Sequence, residues 1–403
     1  MNKKLGLAVA GALVAFSSVA NAGIAIPAGD WTVDIGGNVN AYYTNTQKDT
    51  TNSAGVKTSA VDGNTIGTGL LPAALGIGAK TRQNDLDVAF QFTFWTGTSS
   101  GNNVLGTNGL VVPGTGSGGA AGNNTLNIRQ AFVTVGDASW GSIKAGRDLG
   151  IFGSDAILSD MTLLGVGNGG PAGGSSTLGR IGSGYIYADW KGQFSYTSPN
   201  WNGFQFAAGV MENFKPSGLT AANTGSASSN MDYEGKVTYD FAANDVTGRV
   251  WVSGITQKTE SATAGSYTSR GFDIGAKASY AGATLVGYYY DGEGLDSQNV
   301  LLQGLFNGNG EKSKDSGGYV QATFVVPTIG TKLGASWGTS NSKAANGTGF
   351  DIENESWIVG AYHPLTKSLN LVAEYTSQEV KNKAAGQTKT ERDTISLGAI
   401  LFF

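Results

Sequence analysis

The chain has 403 residues, with 30 acidic against 26 basic side chains, 63 glycines, one histidine and no cysteine. The acidic balance argues against nucleic acid as a partner, which favours a basic face, and the missing cysteine excludes disulfide staples. Beyond residue 22 no apolar run reaches the roughly eighteen residues of a spanning helix, and mean hydropathy near zero fits alternating apolar and polar residues.

Lys3 and Lys4 precede an apolar run from Leu5 to Phe16, and Ala20-Asn21-Ala22 forms a small-x-small cleavage site. This predicts a secretory signal peptide over residues 1–22, too short and wrongly flanked for a membrane helix. The mature chain, 23–403, then carries a net charge of 24 − 30 = −6. Without disulfides its rigidity needs another source, such as a continuous hydrogen-bonded sheet.

The first strand is predicted over 31–43, with Trp31, Val33, Ile35, Gly37, Val39, Ala41 and Tyr43 sharing one face. A Thr/Asn/Gly-rich loop follows to about Leu70. A strand near 75–80 turns at Gln83-Asn84-Asp85 into 86–94, where Phe90, Phe92 and Phe94 alternate with Gln91 and Thr93. A glycine-rich loop covers Thr96 to Thr125. Further strands are predicted near 126–136, 141–147, 187–197, 204–211, 231–241, 246–256, 271–280, 283–291, 317–327, 331–338, 355–363, 369–376 and 393–403.

That makes sixteen strands, joined alternately by short turns and long polar loops. The asymmetry predicts an all-β fold, a 16-stranded antiparallel transmembrane β-barrel with its turns toward the periplasm. Charge on a lipid-facing position costs roughly 2–4 kcal/mol at midplane for Lys or Arg. Asp232, Glu234, Lys236 and Asp240 therefore face a wet lumen, and Tyr233, Val237, Tyr239 and Phe241 face lipid. At 283–291 the consecutive Tyr288, Tyr289 and Tyr290 leave the parity open. In the last strand Ile395, Leu397, Ala399, Leu401 and Phe403 share one apolar face, and the barrel closes by pairing this strand with the one at Trp31.

The longest connection, Asp148 to about Gly184, follows the fifth strand. Parity turns Arg147 outward, so that strand should end near Gly146. The stretch I-F-G-S-D-A-I-L-S-D-M-T-L-L is too apolar for a solvated loop, and Ser154 is placed to cap a short helix through Leu164. An inward-folded third extracellular loop explains this composition, with Asp148, Asp155 and Asp160 lining the opening. Lys80, Arg129 and Lys144 would form a basic wall opposite, setting a transverse field that favours polar solutes. Gln130 and Thr134 would then face outward beside Ile128 and Phe132, which suits contact with another subunit rather than lipid. Inward charges roughly balance along the wall, and the loop acids tip the expectation weakly toward cations.

Gly165, Gly167 and Gly170 match G-x-G-x-x-G without the strand-to-helix context that nucleotide binding needs. His363 stands alone, so neither a catalytic group nor a metal set can be assembled, and no cofactor is expected.

R-Q-A-F-V-T-V-G (Arg129 to Gly136), W-G-S-I-K-A-G-R-D (Trp140 to Asp148), Y-T-S-P-N-W-N-G-F (Tyr196 to Phe204) and A-Y-H-P-L-T-K-S-L-N-L-V-A-E-Y near the end are family-like segments. With the terminal Phe403 they resemble the general diffusion porins of Gram-negative outer membranes, of the trimeric proteobacterial type. The resemblance implies an outer-membrane homotrimer in contact with lipid and lipopolysaccharide, and passive diffusion of small hydrophilic solutes. It also implies Arg129 and Lys144 in the basic wall, Asp155 and Asp160 in the loop, and Phe403 with Leu401 as a signal for the barrel-assembly machinery. The third loop here is longer and richer in glycine than the family pattern, and the wall has few basic residues. Two alternatives remain: a porin selective for one solute class, and a non-conducting barrel acting as an adhesin or structural protein.

Overall fold

The computed structural model describes residues 23–98, 126–169, 176–212, 230–261, 265–295, 312–344, 351–384 and 388–403. The expected signal peptide and most of the loop from Thr96 to Thr125 lie outside the described residues. The strands are β1 (Ile24–Ala28), β2 (Trp31–Thr51), β3 (Lys57–Gly67), β4 (Ala73–Gln83), β5 (Leu86–Thr96) and β6 (Asn127–Asp137). They continue with β7 (Gly141–Leu149), β8 (Trp190–Thr197), β9 (Phe204–Glu212), β10 (Met231–Ala243), β11 (Val246–Ser261) and β12 (Gly265–Tyr280). The last six are β13 (Ala283–Glu293), β14 (Ser313–Val325), β15 (Lys332–Ala344), β16 (Asp351–Pro364), β17 (Leu369–Asn382) and β18 (Thr388–Phe402).

Every neighbouring pair is antiparallel, and β18 closes on β2 from Phe402↔Asn38 to Lys389↔Thr51. Beyond Phe402 the seal continues through Gly37 N–H to the Phe403 carbonyl at 2.8 Å and Phe403 N–H to the Gly37 carbonyl at 3.1 Å. β2 and β4–β18 are the sixteen staves of the barrel. The two remaining strands complete staves rather than adding any. β1 pairs with the lower part of β2 on the edge that β18 occupies above. β3 pairs with the upper part of β2 on the edge that β4 occupies below.

The expected loop to Leu70 is therefore largely strand. β2 runs on to Thr51 and turns at Asn52, whose side-chain oxygen accepts from Ala54 and Val56 N–H at 3.0 and 2.9 Å. This hairpin lacks the apolar alternation that marks a half-buried strand, so periodicity could not reveal it. The turn at Asn84 and Asp85, by contrast, has both residues at positive φ (49° and 62°), as a tight two-residue hairpin requires.

The faces divide as lipid and water demand. Tyr233, Val252, Ile274, Leu285, Val320, Trp357, Tyr375 and Leu397 are exposed on the outer face. Asp232, Glu234, Ser253, Asp273, Gln321, Ser336, Ser356 and Glu374 alternate with them and are buried on the inner face. In β13 Tyr289 is exposed while Tyr288 and Tyr290 are buried, which settles that strand's parity. No described helix is long and apolar enough to cross a membrane.

Two expectations near β6 and β7 are corrected. The register of β5 and β6 slips between Thr93↔Gln130 and Phe94↔Ile128, leaving Arg129 as an extra residue in a β-bulge. A bulge puts two successive side chains toward one side. Arg129 and Gln130 thus both turn inward, and Gln130 and Thr134 are buried at 4% and 7% exposure rather than facing a neighbour. The argument for a subunit contact from those two residues falls with them. β7 continues through Gly146 to Leu149, because β8 keeps pairing with it as far as Leu149↔Trp190.

Candidate functional site: the segment between β7 and β8 and the inner wall

The connection from Gly150 to Asp189 begins with helix α1 (Ser154–Ser159) and a 3-10 turn (Met161–Leu164). Ser154 is the first residue of α1, not its cap. The cap position is Gly153, at φ 74°, a left-handed conformation that glycine adopts without a Cβ penalty. Asp160 interrupts the helix, and its carboxylate accepts from Thr162 N–H at 2.9 Å to start the 3-10 turn.

The apolar side chains of the segment pack on inward-facing residues of the wall. Phe152, Ala156, Ile157, Ile181, Tyr185 and Ile186 join Trp251, Ile255, Val286, Tyr288 and Tyr319 in one cluster. Met161 and Val166 join Tyr42, Ile358, Tyr362, Val372, Ile400 and Phe402 in a second. Phe152 and Ile186 are each 1% exposed, a burial worth about 1.5–3 kcal/mol per side chain. That explains an apolar sequence in a connection.

The backbone of the segment is held by wall side chains, a set that sequence reasoning missed. Glu234 accepts from Ile151 and Phe152 N–H at 2.6 and 2.8 Å. Asp273 accepts from Gly153 N–H at 3.1 Å, and Gln321 from Met161 N–H at 2.8 Å. Glu374 accepts from Val166 and Gly167 N–H at 2.7 and 2.8 Å and from the Tyr362 hydroxyl at 2.6 Å. Arg180, fully buried, donates to Ser336 and Ser356. Strand parity puts each carboxylate on the inner face, but only the folded segment shows that its partners are peptide N–H groups.

The expected acids lie apart from one another. Asp148 sits on β7, bonded to Lys144 and to Gln130 Nε2 at 2.9 Å. Asp155 receives Lys236 at 2.6 Å and Arg249 at 3.0 Å. Arg249 is shared with Asp240 through a two-pronged contact at 2.6 and 2.8 Å. Asp160 is turned into the segment's own interior, accepting from the Tyr185 hydroxyl at 2.8 Å and from Arg180 N–H at 3.2 Å. All three are at most 5% exposed.

The expected basic residues are dispersed too. Lys144 meets Asp148 and lies 4.9 Å over Phe132. Lys80 pairs with Asp34 at 3.2 Å. Arg129 stacks 5.0 Å over Trp95 and 6.0 Å over Trp190. Lys236 and Arg249 take the role of facing the loop acid that Lys80 and Arg129 were expected to take. A further buried group, Lys191, bridges Asp232 at 2.8 Å and Glu234, so the carboxylate that grips the segment is itself neutralised from β8.

A closed 16-stranded barrel, apolar outside and charged inside, is the architecture of an outer-membrane channel. The chain belongs to the Gram-negative porin family, whose model matches residues 8–383. Solved structures repeat the fold. The outer-membrane channel DcaP of Acinetobacter baumannii shares 14% identity at TM-score 0.66, over 94% of this chain and 99% of that one. An anion-selective porin from Comamonas acidovorans shares 18% at TM-score 0.57, over 93% and 100%. OmpF of Salmonella typhi, solved with daunomycin, shares 15% at TM-score 0.55, over 94% and 100%. No curated protein matches in sequence. The protein is thus an outer-membrane channel for passive diffusion.

Proposed function

We propose that the channel passes ions and small hydrophilic solutes in general, without catalysis, and that the segment between β7 and β8 sets its narrowest point. The observation that carries this reading is the row of wall-to-backbone hydrogen bonds from Glu234 to Glu374. They fix a long apolar segment against the inner face. In this reading Asp155 with Lys236 and Arg249 borders the constriction, Lys144 with Asp148 and Lys80 with Asp34 line the wall, and Arg129 marks its β6 side. Diffusion needs weak binding and a fixed polar lining.

The protein acts as a homotrimer among lipid and lipopolysaccharide, after removal of residues 1–22 and insertion guided by Leu401 and Phe403. Strand lengths support a subunit contact. β4–β9 have 8–11 residues and β10–β18 have 11–16. The short sector barely spans a bilayer and suits a position between copies. Reconstitution in planar bilayers tests the reading. Ohmic current in three equal steps per insertion is expected; a purified, folded protein that never conducts sinks it.

A further inference from the structure

We propose that the channel prefers anions, and that Lys277 and Lys332 set the preference. The proposal rests on the channel reading above and adds the class of solute. Lys277 lies on the inner face of β12, directly across from Arg249 of β11 and Val286 of β13. Lys332 begins β15, with its ammonium 4.6 Å over the Tyr362 ring. Both are partly exposed, and among the described residues neither has a carboxylate within 4.0 Å.

The acids of the inner wall are in a different condition. Glu234, Asp273 and Glu374 are covered by the segment, and their charge is met by its N–H groups. Asp155 is shared by two cations. Among the described residues, the inner-wall carboxylates that reach water between the rims are paired: Asp34 with Lys80 and Asp240 with Arg249. An acid excess does occur where Arg82 holds both Asp87 and Asp137, but it lies at the turn-side rim of β4–β6, across the barrel from β12. Among the described residues, a passing ion therefore meets paired charges along most of the inner wall, the Arg129 guanidinium stacked on Trp95 and Trp190 on one side, and on β12 and β15 two ammonium groups without a carboxylate. Unpaired charge in a water-filled lumen acts over roughly a Debye length, about 10 Å at 0.1 M salt. By count alone the inward charges lean toward cations, whereas burial and pairing decide which of them an ion meets.

The test is the reversal potential of the reconstituted channel in a potassium chloride gradient. The wild type should reverse on the chloride side, and the preference should weaken from 0.1 M to 1 M salt as the Debye length falls to about 3 Å. Lys277→Gln with Lys332→Gln should lower the chloride-to-potassium permeability ratio at least about twofold while the pore still conducts. Lys277→Arg with Lys332→Arg should keep the ratio, and Lys314→Gln, on the outer face, should leave it unchanged. Cation preference in the wild type, or an unaltered ratio in the double glutamine variant, overturns the proposal. A wild type that does not conduct overturns the channel reading instead. The salt dependence needs no variant, so the proposal can fail even if the double variant does not insert.

Discussion

Asp155 and Asp160 look alike in the sequence, five residues apart in one apolar stretch, yet they sit in opposite surroundings. Asp155 faces two wall cations. Asp155→Asn leaves Lys236 without its carboxylate, so reversal potential should move further toward chloride. Asp160 serves the segment itself, through Thr162, Arg180 and Tyr185. Asp160→Asn should leave the reversal potential in place and lower the stability of the folded barrel. Removing one charged acceptor from a buried set costs about 1.5–3 kcal/mol, readable as a lower urea midpoint. Glu374→Gln should act on the segment's mobility, because one carboxylate holds two peptide N–H groups and a tyrosine. Noisier open-channel current at unchanged ion preference is the expected result, and a quiet channel would show that the remaining contacts suffice.

At the scale of elements, the segment is placed by contact with the wall rather than by its own helix. α1 has six residues, too few to stand alone. Gly165 is a sensitive point in this arrangement. A Cβ there would lie 2.1 Å from Glu374 Oε1, so Gly165→Ala must displace the carboxylate and should reproduce the current noise of Glu374→Gln. β18 is the other decisive element. Its pairing with β2 shuts the cylinder, and Phe403 extends the seal by two backbone hydrogen bonds with Gly37. Truncation after Phe402 should reduce the amount of barrel inserted in the outer membrane, measured by heat-modifiable gel mobility. Molecules that do insert should keep their unit conductance, since Phe403 is tied to Gly37 at the barrel seam.

For the whole molecule, the bilayer supplies the selection that separates the two faces. Val320 and Gln321 are adjacent on β14 and point opposite ways, Val320 56% exposed and Gln321 6%. Val320→Lys should destabilise the folded barrel in bilayers by about 2–4 kcal/mol. The same change in detergent micelles should cost less, because a micelle can deform around the charge. Equal costs in both media would mean that Val320 does not face lipid.

Alternation with a period of two determined most of the architecture from sequence alone. Sixteen apolar-and-polar strands with one-sided loops admit few other solutions, because lipid outside and water inside impose that period on every stave. The polar hairpin of β2 and β3 escaped, since water on both faces leaves no apolar period to read. The apolar stretch after β7 was legible as a segment needing cover, and Asp155 as an acid meeting wall cations, though not which cations. What only the tertiary structure decided was partnership across the lumen. The bulge at Arg129 reversed the expected facing of Gln130 and Thr134. The segment between β7 and β8 turned Glu234, Asp273 and Glu374 from lining groups into clamps. Charge in the sequence is a count, whereas charge met by an ion depends on burial and on pairs between residues eighty to two hundred positions apart. No local period encodes such pairs, and the closed barrel brings them together.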